Sequence, residues 1–371
     1  MKILEPVEFH NLRLKNRVVW TPAVTCLASD AGEVTDALID RHVKRAADGV
    51  GLIQVEACGV LDRKSPKLLR LCDDAMIPGH KRMTDALHAY GAKVSVQLIH
   101  YVKQSKRTGW KQDVADLTGD EIEEIKQQFI SAAVRAKEAG YDVIELHGAH
   151  GYTLASFISL LNKRRDEYGG NTAGRCKIVT DIIGGIRREL GDDACIAIRI
   201  NGDEFVRGGS TVAQAPEVAK CLCDAGINLI SVSAGGKTED GSWYTGYSGE
   251  RTMPTAQYPW ACHVYLAEAV RAVAKEYKVP VITAGRIGTL ARGEEILQAE
   301  KADLIGYCRP LLCDPRWLTK EREGRFDEIV QCHYCNNCQE RDRHWEPVNC
   351  IFWEAHCKKL GIDPYEPLYK G

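Results

Sequence analysis

Residues 195–233, CIAIRINGDEFVRGGSTVAQAPEVAKCLCDAGINLISVS, hold two strand patterns with a helix pattern between them. The runs Cys195–Ile200 and Asn228–Ser233 are rich in Ile and Val and show little alternation, which is typical of strands buried on both faces. Between them, Val212–Ala225 follows the helical period, and Gly226 marks its end. This order predicts one βαβ unit of a parallel sheet.

The same alternation of strand and helix patterns continues on both sides of this unit. Six further strand candidates are Arg17–Val24, Val50–Glu56, Lys93–Ile99, Asp142–His147, Pro280–Ala284 and Asp303–Tyr307. Helix patterns such as Thr35–Ala47 lie between the strands, and eight strands with intervening helices predict a closed (β/α)8 TIM barrel. A doubly wound sheet fits less well, because the first strand is followed by Pro22 and Ala23 rather than by a glycine-rich turn.

The length agrees with one barrel and a short extension. The chain has 371 residues, whereas an α/β barrel alone takes about 200–250 residues and often carries additional segments. We expect the barrel to occupy residues 1–324 and a Cys-rich extension to occupy residues 325–371.

The near-balance of charges excludes several classes of protein. There are 49 Lys and Arg against 51 Asp and Glu, a net charge of −2, so no global field favours nucleic acid or a membrane surface. The N-terminal segment lacks the apolar stretch of a signal peptide, and no run reaches the ~18 apolar residues of a transmembrane helix. We therefore expect a cytoplasmic protein that binds neither nucleic acid nor membrane.

The cysteines fall into two groups. Fifteen are too few for a disulfide scaffold of this size, and most lie in apolar runs where a free thiol behaves as a small hydrophobe. Four near the C-terminus have a metal-binding spacing: Cys332, Cys335, Cys338 and Cys350. The arrangement C-x2-C-x2-C with a distant fourth cysteine favours a [4Fe–4S] cluster, because structural zinc more often uses two separate C-x2-C pairs. A four-Cys zinc site, or one in which His333 or His344 replaces a thiolate, stays open.

Polar side chains collect where the predicted strands end, which is where barrel enzymes carry their chemistry. The hydrogen-bond donors at these ends are Gln97, His147, His150 and Arg199. No Lys ends a strand, which argues against a Schiff-base aldolase. The loops at Gly285-Arg286 and Cys308-Arg309 follow the last two strands, where barrels most often bind a phosphate. A phosphorylated cofactor is therefore the expected occupant.

The most specific run of the barrel is Glu145–Tyr152, ELHGAHGY, followed by Asn162–Gly170, NKRRDEYGG. It closely resembles the signature of the old yellow enzyme family of FMN-dependent ene reductases. Further matches in the same order extend over nearly the whole chain, from Leu14–Val18 to Arg309-Pro310. The resemblance implies a TIM barrel that holds FMN at its mouth.

The resemblance also implies a role for each matching residue. The implied flavin contacts are Pro22 and Ala23 through their backbone, Ala57 beside the ring, Gln97 at the pyrimidine edge, Arg199 at the N1/O2 side, and Gly285, Arg286, Cys308 and Arg309 at the phosphate. His147 and His150 would bind a substrate carbonyl oxygen, and Tyr152 would donate a proton. Positive charge near N1 would stabilise reduced flavin.

One branch of this family, which includes 2,4-dienoyl-CoA reductase and trimethylamine dehydrogenase, carries a four-Cys [4Fe–4S] cluster just after the barrel. The cysteine spacing here is similar to that of trimethylamine dehydrogenase, with one residue fewer before the last cysteine. Members of that branch continue into FAD and nicotinamide domains, whereas this chain stops 21 residues after Cys350. We therefore expect electrons to arrive from a ferredoxin, a flavodoxin or a flavoprotein subunit, with NAD(P)H as an alternative donor.

Together these features predict an FMN- and [4Fe–4S]-dependent oxidoreductase that reduces the activated C=C bond of a small enone or enoyl thioester. One alternative is oxidative N-demethylation of an amine, for which the insertion Gly235–Pro254 would supply acidic and aromatic walls through Asp240, Trp243, Tyr244, Tyr247 and Glu250. An alternative of another class is an electron-transfer subunit of a larger complex. The substrate, the direction of reaction and any homo-oligomer stay open.

Overall fold

The computed structural model describes residues 1–62, 66–101, 114–236 and 247–370. Within these ranges the strands are β1 (Val7–Phe9), β2 (Leu12–Leu14), β3 (Val18–Trp20), β4 (Leu52–Gly59), β5 (Lys93–Ile99), β6 (Val143–Gly148), β7 (Cys195–Asp203), β8 (Leu229–Ala234), β9 (Val281–Thr283) and β10 (Leu304–Tyr307). The α-helices of the same ranges are α1 (Asp36–Ala47), α2 (Ile77–His88), α3 (Gly119–Glu138), α4 (Thr153–Ile158), α5 (Thr172–Leu190), α6 (Ala215–Asp224), α7 (Tyr247–Thr252), α8 (Val264–Ala274), α9 (Leu290–Gln298), α10 (Arg309–Cys313), α11 (Trp317–Glu323), α12 (Asn337–Arg343) and α13 (Ile351–Leu360).

Strands β3 to β10 form a closed parallel barrel in the order β10-β3-β4-β5-β6-β7-β8-β9. Each of them coincides with one of the eight predicted strands, so the TIM-barrel prediction is confirmed. The register sets Gln97 level with Ala57 and Glu145, and His147 level with Arg199. Because the strands are parallel, their carboxyl ends meet at one rim of the barrel.

Strand β3 is shorter than the predicted run Arg17–Val24. Its pairing with β10 stops at Trp20, and Pro22 follows two residues later, where the missing N–H cannot continue a ladder. The residues after Trp20 instead line a cleft at the rim of the barrel.

The antiparallel hairpin of β1 and β2 was absent from the sequence-based prediction. Its apolar side chains Phe9, Leu12 and Leu14 pack against residues near the amino ends of barrel strands, such as Val143 and Leu304. The hairpin therefore closes the amino end of the barrel. Strands of three residues are too short for their alternation to be read from sequence.

The helices surround the barrel with their apolar faces against it. Thr35 caps α1 as expected, because its hydroxyl accepts a hydrogen bond from the amide of Leu38 (3.2 Å). Gly191 ends α5 with a φ of +73°, a conformation that glycine adopts without strain. Among the described residues, no helix combines the length and the apolar character needed to cross a membrane.

The segment after α11 packs against the barrel. Asp40 of α1 accepts a hydrogen bond from the amide of Leu368 (2.6 Å), and Arg41 donates to the carbonyl of Val348 (2.7 Å). Both contacts join the first helix to the C-terminal segment, and Val348 of that segment also lines the cleft at the rim of the barrel. The division at Gly324 into a barrel and an extension stays a prediction.

Candidate active site

One cleft opens at the carboxyl ends of the barrel strands, and we call it the rim cleft. All twelve residues that were predicted around the flavin and the substrate line it: Pro22, Ala23, Ala57, Gln97, His147, His150, Tyr152, Arg199, Gly285, Arg286, Cys308 and Arg309. Cys338, Asp342 and Val348 of the C-terminal segment line the same cleft. The structure thus brings the predicted residues together, while their individual roles stay predictions.

The three predicted catalytic side chains form one group in the rim cleft. The ring centroids of His147 and His150 are 5.0 Å apart, and those of His147 and Tyr152 are 4.9 Å apart. The amide of Ala149 donates to Nδ1 of His147 (3.3 Å). A neutral imidazole that accepts at Nδ1 carries its proton on Nε2, so the Nε2–H of His147 is a hydrogen-bond donor.

Ser233 links His150 to Arg199. Its hydroxyl oxygen lies 2.7 Å from Nε2 of His150 and accepts a hydrogen bond from Nη2 of Arg199 (3.2 Å). The hydroxyl of Ser233 can donate its proton to Nε2 of His150, and in that tautomer Nδ1 of His150 carries the ring proton. His150 has a φ of +64°, and its amide donates to Oδ1 of Asn201 (3.3 Å). The backbone of His150 is therefore held in a conformation that histidine rarely adopts.

A buried polar network inside the barrel supports the rim cleft. Glu145 is fully buried and accepts hydrogen bonds from Nε2 of Gln97 (2.6 Å) and Nε2 of Gln54 (2.5 Å). Burial raises the pKa of Glu145, and the charge of Arg199 acts in the opposite direction. One N–H of the Gln97 amide is bonded to Glu145, which leaves its carbonyl oxygen and its second N–H for a ligand. Sequence reasoning assigned Glu145 no role, although a carboxylate inside an apolar strand was a usable signal.

Arg199 and His263 bring unpartnered polar atoms to the rim cleft. Nε and Nη1 of Arg199 and Nε2 of His263 are buried and have no hydrogen-bond partner within the described part of the chain. Burial lowers the pKa of Arg199, whereas Glu145 favours its charged form. Burial, with the charges of Arg251, Arg199 and Arg309, lowers the pKa of His263 to about 3, so its imidazole is neutral at pH 7. His263 belongs to no recognisable motif and was not predicted.

The loops after β9 and β10 converge at the other end of the rim cleft. Arg286 and Arg309 each donate to a backbone carbonyl there (2.7 and 2.8 Å), and neither has a carboxylate partner among the described residues. Gly285 has a φ of +116°, and a Cβ at this position would lie 2.7 Å from Nδ1 of His263. Glycine at position 285 thus allows the His263 ring to pack against the loop. Two guanidinium groups without a carboxylate partner at this end of the cleft fit an anion such as the phosphate of FMN.

A second cavity, which we call the cysteine cavity, lies beside the rim cleft. All four predicted metal-binding residues line it: Cys332, Cys335, Cys338 and Cys350. Cys338 and Tyr334 line both cavities. Cys335 is exposed, whereas the other three are partly buried.

The four cysteines do not converge on one point. Within residues 1–62, 66–101, 114–236 and 247–370, no group of three or more His, Cys, Asp or Glu side chains is placed to hold a metal ion. Sγ of Cys350 lies 3.3 Å from Sγ of Cys313, a cysteine that sequence reasoning did not single out. Nδ1 of His344 lies 2.9 Å from the carbonyl of Glu340. The iron–sulfur cluster therefore stays a prediction.

Residues 2–328 match the profile of the NADH:flavin oxidoreductase / NADH oxidase family. The chain belongs to this family, and the resemblance to old yellow enzyme is confirmed. The family description implies a flavin, in agreement with the anion-binding character of the rim cleft.

Individual relatives agree with this assignment. An NADH oxidase from Thermoanaerobacter brockii is 38% identical over 350 residues, which cover 88% of this chain and 51% of that protein. An NADPH dehydrogenase from Listeria monocytogenes is 33% identical over 349 residues, which cover 89% of this chain and 96% of that protein. A solved 2-naphthoyl-CoA reductase superposes with a TM-score of 0.84 at 25% identity, over 95% of this chain and 56% of that chain. The chain thus spans about half the length of the NADH oxidase and of the reductase.

Proposed function

We propose that the chain is an FMN-dependent oxidoreductase that reduces a C=C bond conjugated to a carbonyl group, as in an enone or an enoyl thioester. The observation that carries the proposal is the group of His147, His150 and Tyr152 in the same cleft as Gln97 and Arg199. The similarity to a 2-naphthoyl-CoA reductase supports a thioester among the substrates.

The histidine pair would bind the substrate through its carbonyl oxygen. Nε2–H of His147 is the donor that the amide of Ala149 leaves on that ring, and Nδ1–H of His150 is the donor when Ser233 donates to Nε2. As negative charge develops on the oxygen, both hydrogen bonds strengthen, and the barrier falls. Ser233 and Asn201 would keep His150 oriented while this happens.

Tyr152 would supply the proton. Its ring packs against that of His147, so a substrate held by the histidines would lie beside the phenol hydroxyl. A phenol donates a proton to the carbon next to the carbonyl as the enolate is neutralised, and such positioned proton transfer contributes about 10²–10⁴ in rate.

The rim cleft fits FMN, which when bound would supply hydride to the carbon β to the carbonyl. The carbonyl oxygen of Gln97 would accept from an N–H of the flavin. The buried donors of Arg199 would satisfy the electron-rich side of the ring. Arg286 and Arg309 would hold the phosphate.

We also propose that Cys332, Cys335, Cys338 and Cys350 bind a [4Fe–4S] cluster. Each cysteine of such a cluster binds a different iron, so the ligands surround a volume instead of converging on one ion. Four cysteines around one cavity agree better with this arrangement than with tetrahedral zinc. A ferredoxin, flavodoxin or flavoprotein subunit would deliver electrons near the exposed Cys335, with NAD(P)H as the alternative donor.

The alternatives have less support. Of the walls expected for an amine substrate, Asp240, Trp243, Tyr244 and the side chain of Tyr247 lie outside the described residues. The remaining one, Glu250, accepts a hydrogen bond from the hydroxyl of Tyr258 (2.7 Å). The histidine and tyrosine group argues against a chain that only transfers electrons. All fifteen cysteines are unpaired, which fits a reducing compartment, and we therefore retain the cytoplasmic location as part of the proposal.

The test begins with the UV–visible spectrum of anaerobically purified protein, with iron, zinc and released flavin measured on the same sample. We expect absorption near ~450 nm with a broad shoulder, about four irons and about one FMN per chain. Enones, enoyl-CoAs and methylamines are then assayed with a chemically reduced or oxidised dye as electron carrier. A colourless protein with zinc and no flavin would contradict the proposal, and turnover of methylamines alone would favour amine oxidation.

A further inference from the structure

Tyr334 occupies an unusual position in the loop that carries the first three cysteines. It lies between Cys332 and Cys335, and its side chain is buried and lines both the rim cleft and the cysteine cavity. Its φ is +54°, in the left-handed region that favours glycine. A large side chain in this conformation is unfavourable, so the contacts of the ring must compensate for it.

Those contacts are with Arg286 and Arg309, at the end of the rim cleft where we propose that the flavin phosphate binds; we call this the phosphate end. The guanidinium carbons of Arg286 and Arg309 lie 4.9 and 4.6 Å from the centroid of the Tyr334 ring. The ring of Trp260 lies 4.4 Å from the guanidinium carbon of Arg286 and meets the ring of Tyr334 edge to face, with 5.3 Å between the ring centroids. Because the face of an aromatic ring is electron-rich, Tyr334 offsets the repulsion between two guanidinium groups that no carboxylate neutralises among the described residues.

The same loop anchors Arg309 directly. Oδ1 of Asn336 accepts a hydrogen bond from Nη1 of Arg309 (2.7 Å), and Nδ2 of Asn336 donates to the carbonyl of Met253 (2.6 Å). The loop therefore fixes both the position of Arg309 and the ring that lies against it. The phosphate end of the cleft is completed by the segment that bears the cysteines.

We propose that Tyr334 is a positioning residue whose ring holds Arg286 and Arg309 at the separation required to bind the phosphate of the flavin. The inference rests on the proposed function, in which FMN occupies the rim cleft. The hydroxyl of Tyr334 is buried and has no hydrogen-bond partner in the part of the chain that the structure describes. The ring, and not the hydroxyl, performs this role.

The test compares FMN with riboflavin, which has the same ring system and no phosphate. Full-length protein freed of flavin is titrated with each ligand, and the quenching of flavin fluorescence gives Kd for the wild type, Tyr334→Gly and Tyr334→Phe. We expect Tyr334→Gly to weaken FMN binding about tenfold while riboflavin binding is unchanged. Glycine adopts the left-handed conformation freely, so the loop can still form. Tyr334→Phe, the matched control, should bind both ligands like the wild type.

Equal weakening of FMN and riboflavin binding in Tyr334→Gly would overturn the inference, since the effect would then not act through the phosphate. Unchanged FMN affinity in Tyr334→Gly would overturn it as well. Tyr334→Phe that behaves like Tyr334→Gly would assign the role to the hydroxyl, against the proposal. A wild-type protein that binds neither ligand would instead contradict the proposed function.

Discussion

Because the amide of Ala149 donates to Nδ1 of His147, the ring presents Nε2–H as a hydrogen-bond donor even before a substrate binds. We expect His147→Ala to lower turnover of an enone by about 100- to 1,000-fold, because one donor to the developing oxyanion is lost. FMN should be retained, and the charge-transfer band that a bound phenol gives with the flavin should disappear. Steady-state assays and phenol titrations measure these two effects.

The control for this variant is His10→Ala, which removes an exposed histidine between β1 and β2, outside the rim cleft. Turnover by this control should match the wild type. If His147→Ala also turned over normally, His147 would have no part in the mechanism.

Arg199 and Glu145 are both buried, and each favours the charged form of the other against the effect of burial on its pKa. We expect Arg199→Gln to lower the midpoint potential of the flavin by roughly 30 mV or more, a change of ~1.4 kcal/mol for two electrons, because a positive charge that favours reduced flavin is lost. Glu145→Gln should raise the potential, since it removes the opposing charge. Spectroelectrochemical titration measures both shifts, and shifts of the same sign would contradict this electrostatic argument.

At the scale of single elements, the sequence predicts the barrel strands well because buried parallel strands are continuous apolar runs. The residues at the rim can be predicted because they stand where the predicted strands end. Their individual roles are predicted only from the family resemblance, which spans most of the chain. Tyr334 and His263 could not be found in this way. They act through contacts with residues distant in sequence, such as Arg286 and Gly285, and no local pattern encodes such contacts.

The proposed [4Fe–4S] cluster can be tested through its cysteine ligands, three of which precede or begin α12 while the fourth precedes α13. We expect Cys332→Ser to lose most of its iron, because one thiolate ligand is removed. Cys357→Ser is the matched control, since this cysteine of α13 is buried outside the cysteine cavity. Iron and acid-labile sulfide are measured on both proteins, and equal iron in the two would exclude Cys332 as a ligand.

At the scale of the whole molecule, one buried carboxyl makes stability depend on pH. Oε2 of Glu56, in β4, accepts hydrogen bonds from the amide (3.0 Å) and the hydroxyl (2.5 Å) of Thr25. Oε1 of Glu56 has no partner among the described residues. Burial raises the pKa of Glu56 from 4.5 to about 8, despite those hydrogen bonds. Between pH 4.5 and about pH 8, Glu56 is protonated in the folded protein and ionised in the unfolded chain.

The free energy of unfolding should therefore fall as the pH rises through this interval. We expect Glu56→Gln, which cannot ionise, to escape this fall and to be more stable than the wild type by on the order of a few kcal/mol at about pH 8, with a much smaller difference at about pH 4. Urea unfolding at the two pH values measures the difference. The same pH dependence in both proteins would show that Glu56 is not the group responsible.

The rim cleft is assembled from positions that run from Thr21 to Val348. Synthesis proceeds from the amino end, so the residues up to Val348 must leave the ribosome before the last wall of the cleft exists. In a partly synthesised barrel, the arginines and histidines of the rim cleft would be exposed to water on the side that the C-terminal segment later covers. Flavin capture would then wait for the segment that carries Cys338, Asp342 and Val348, and the supply of FMN would act only after these residues have folded against the barrel.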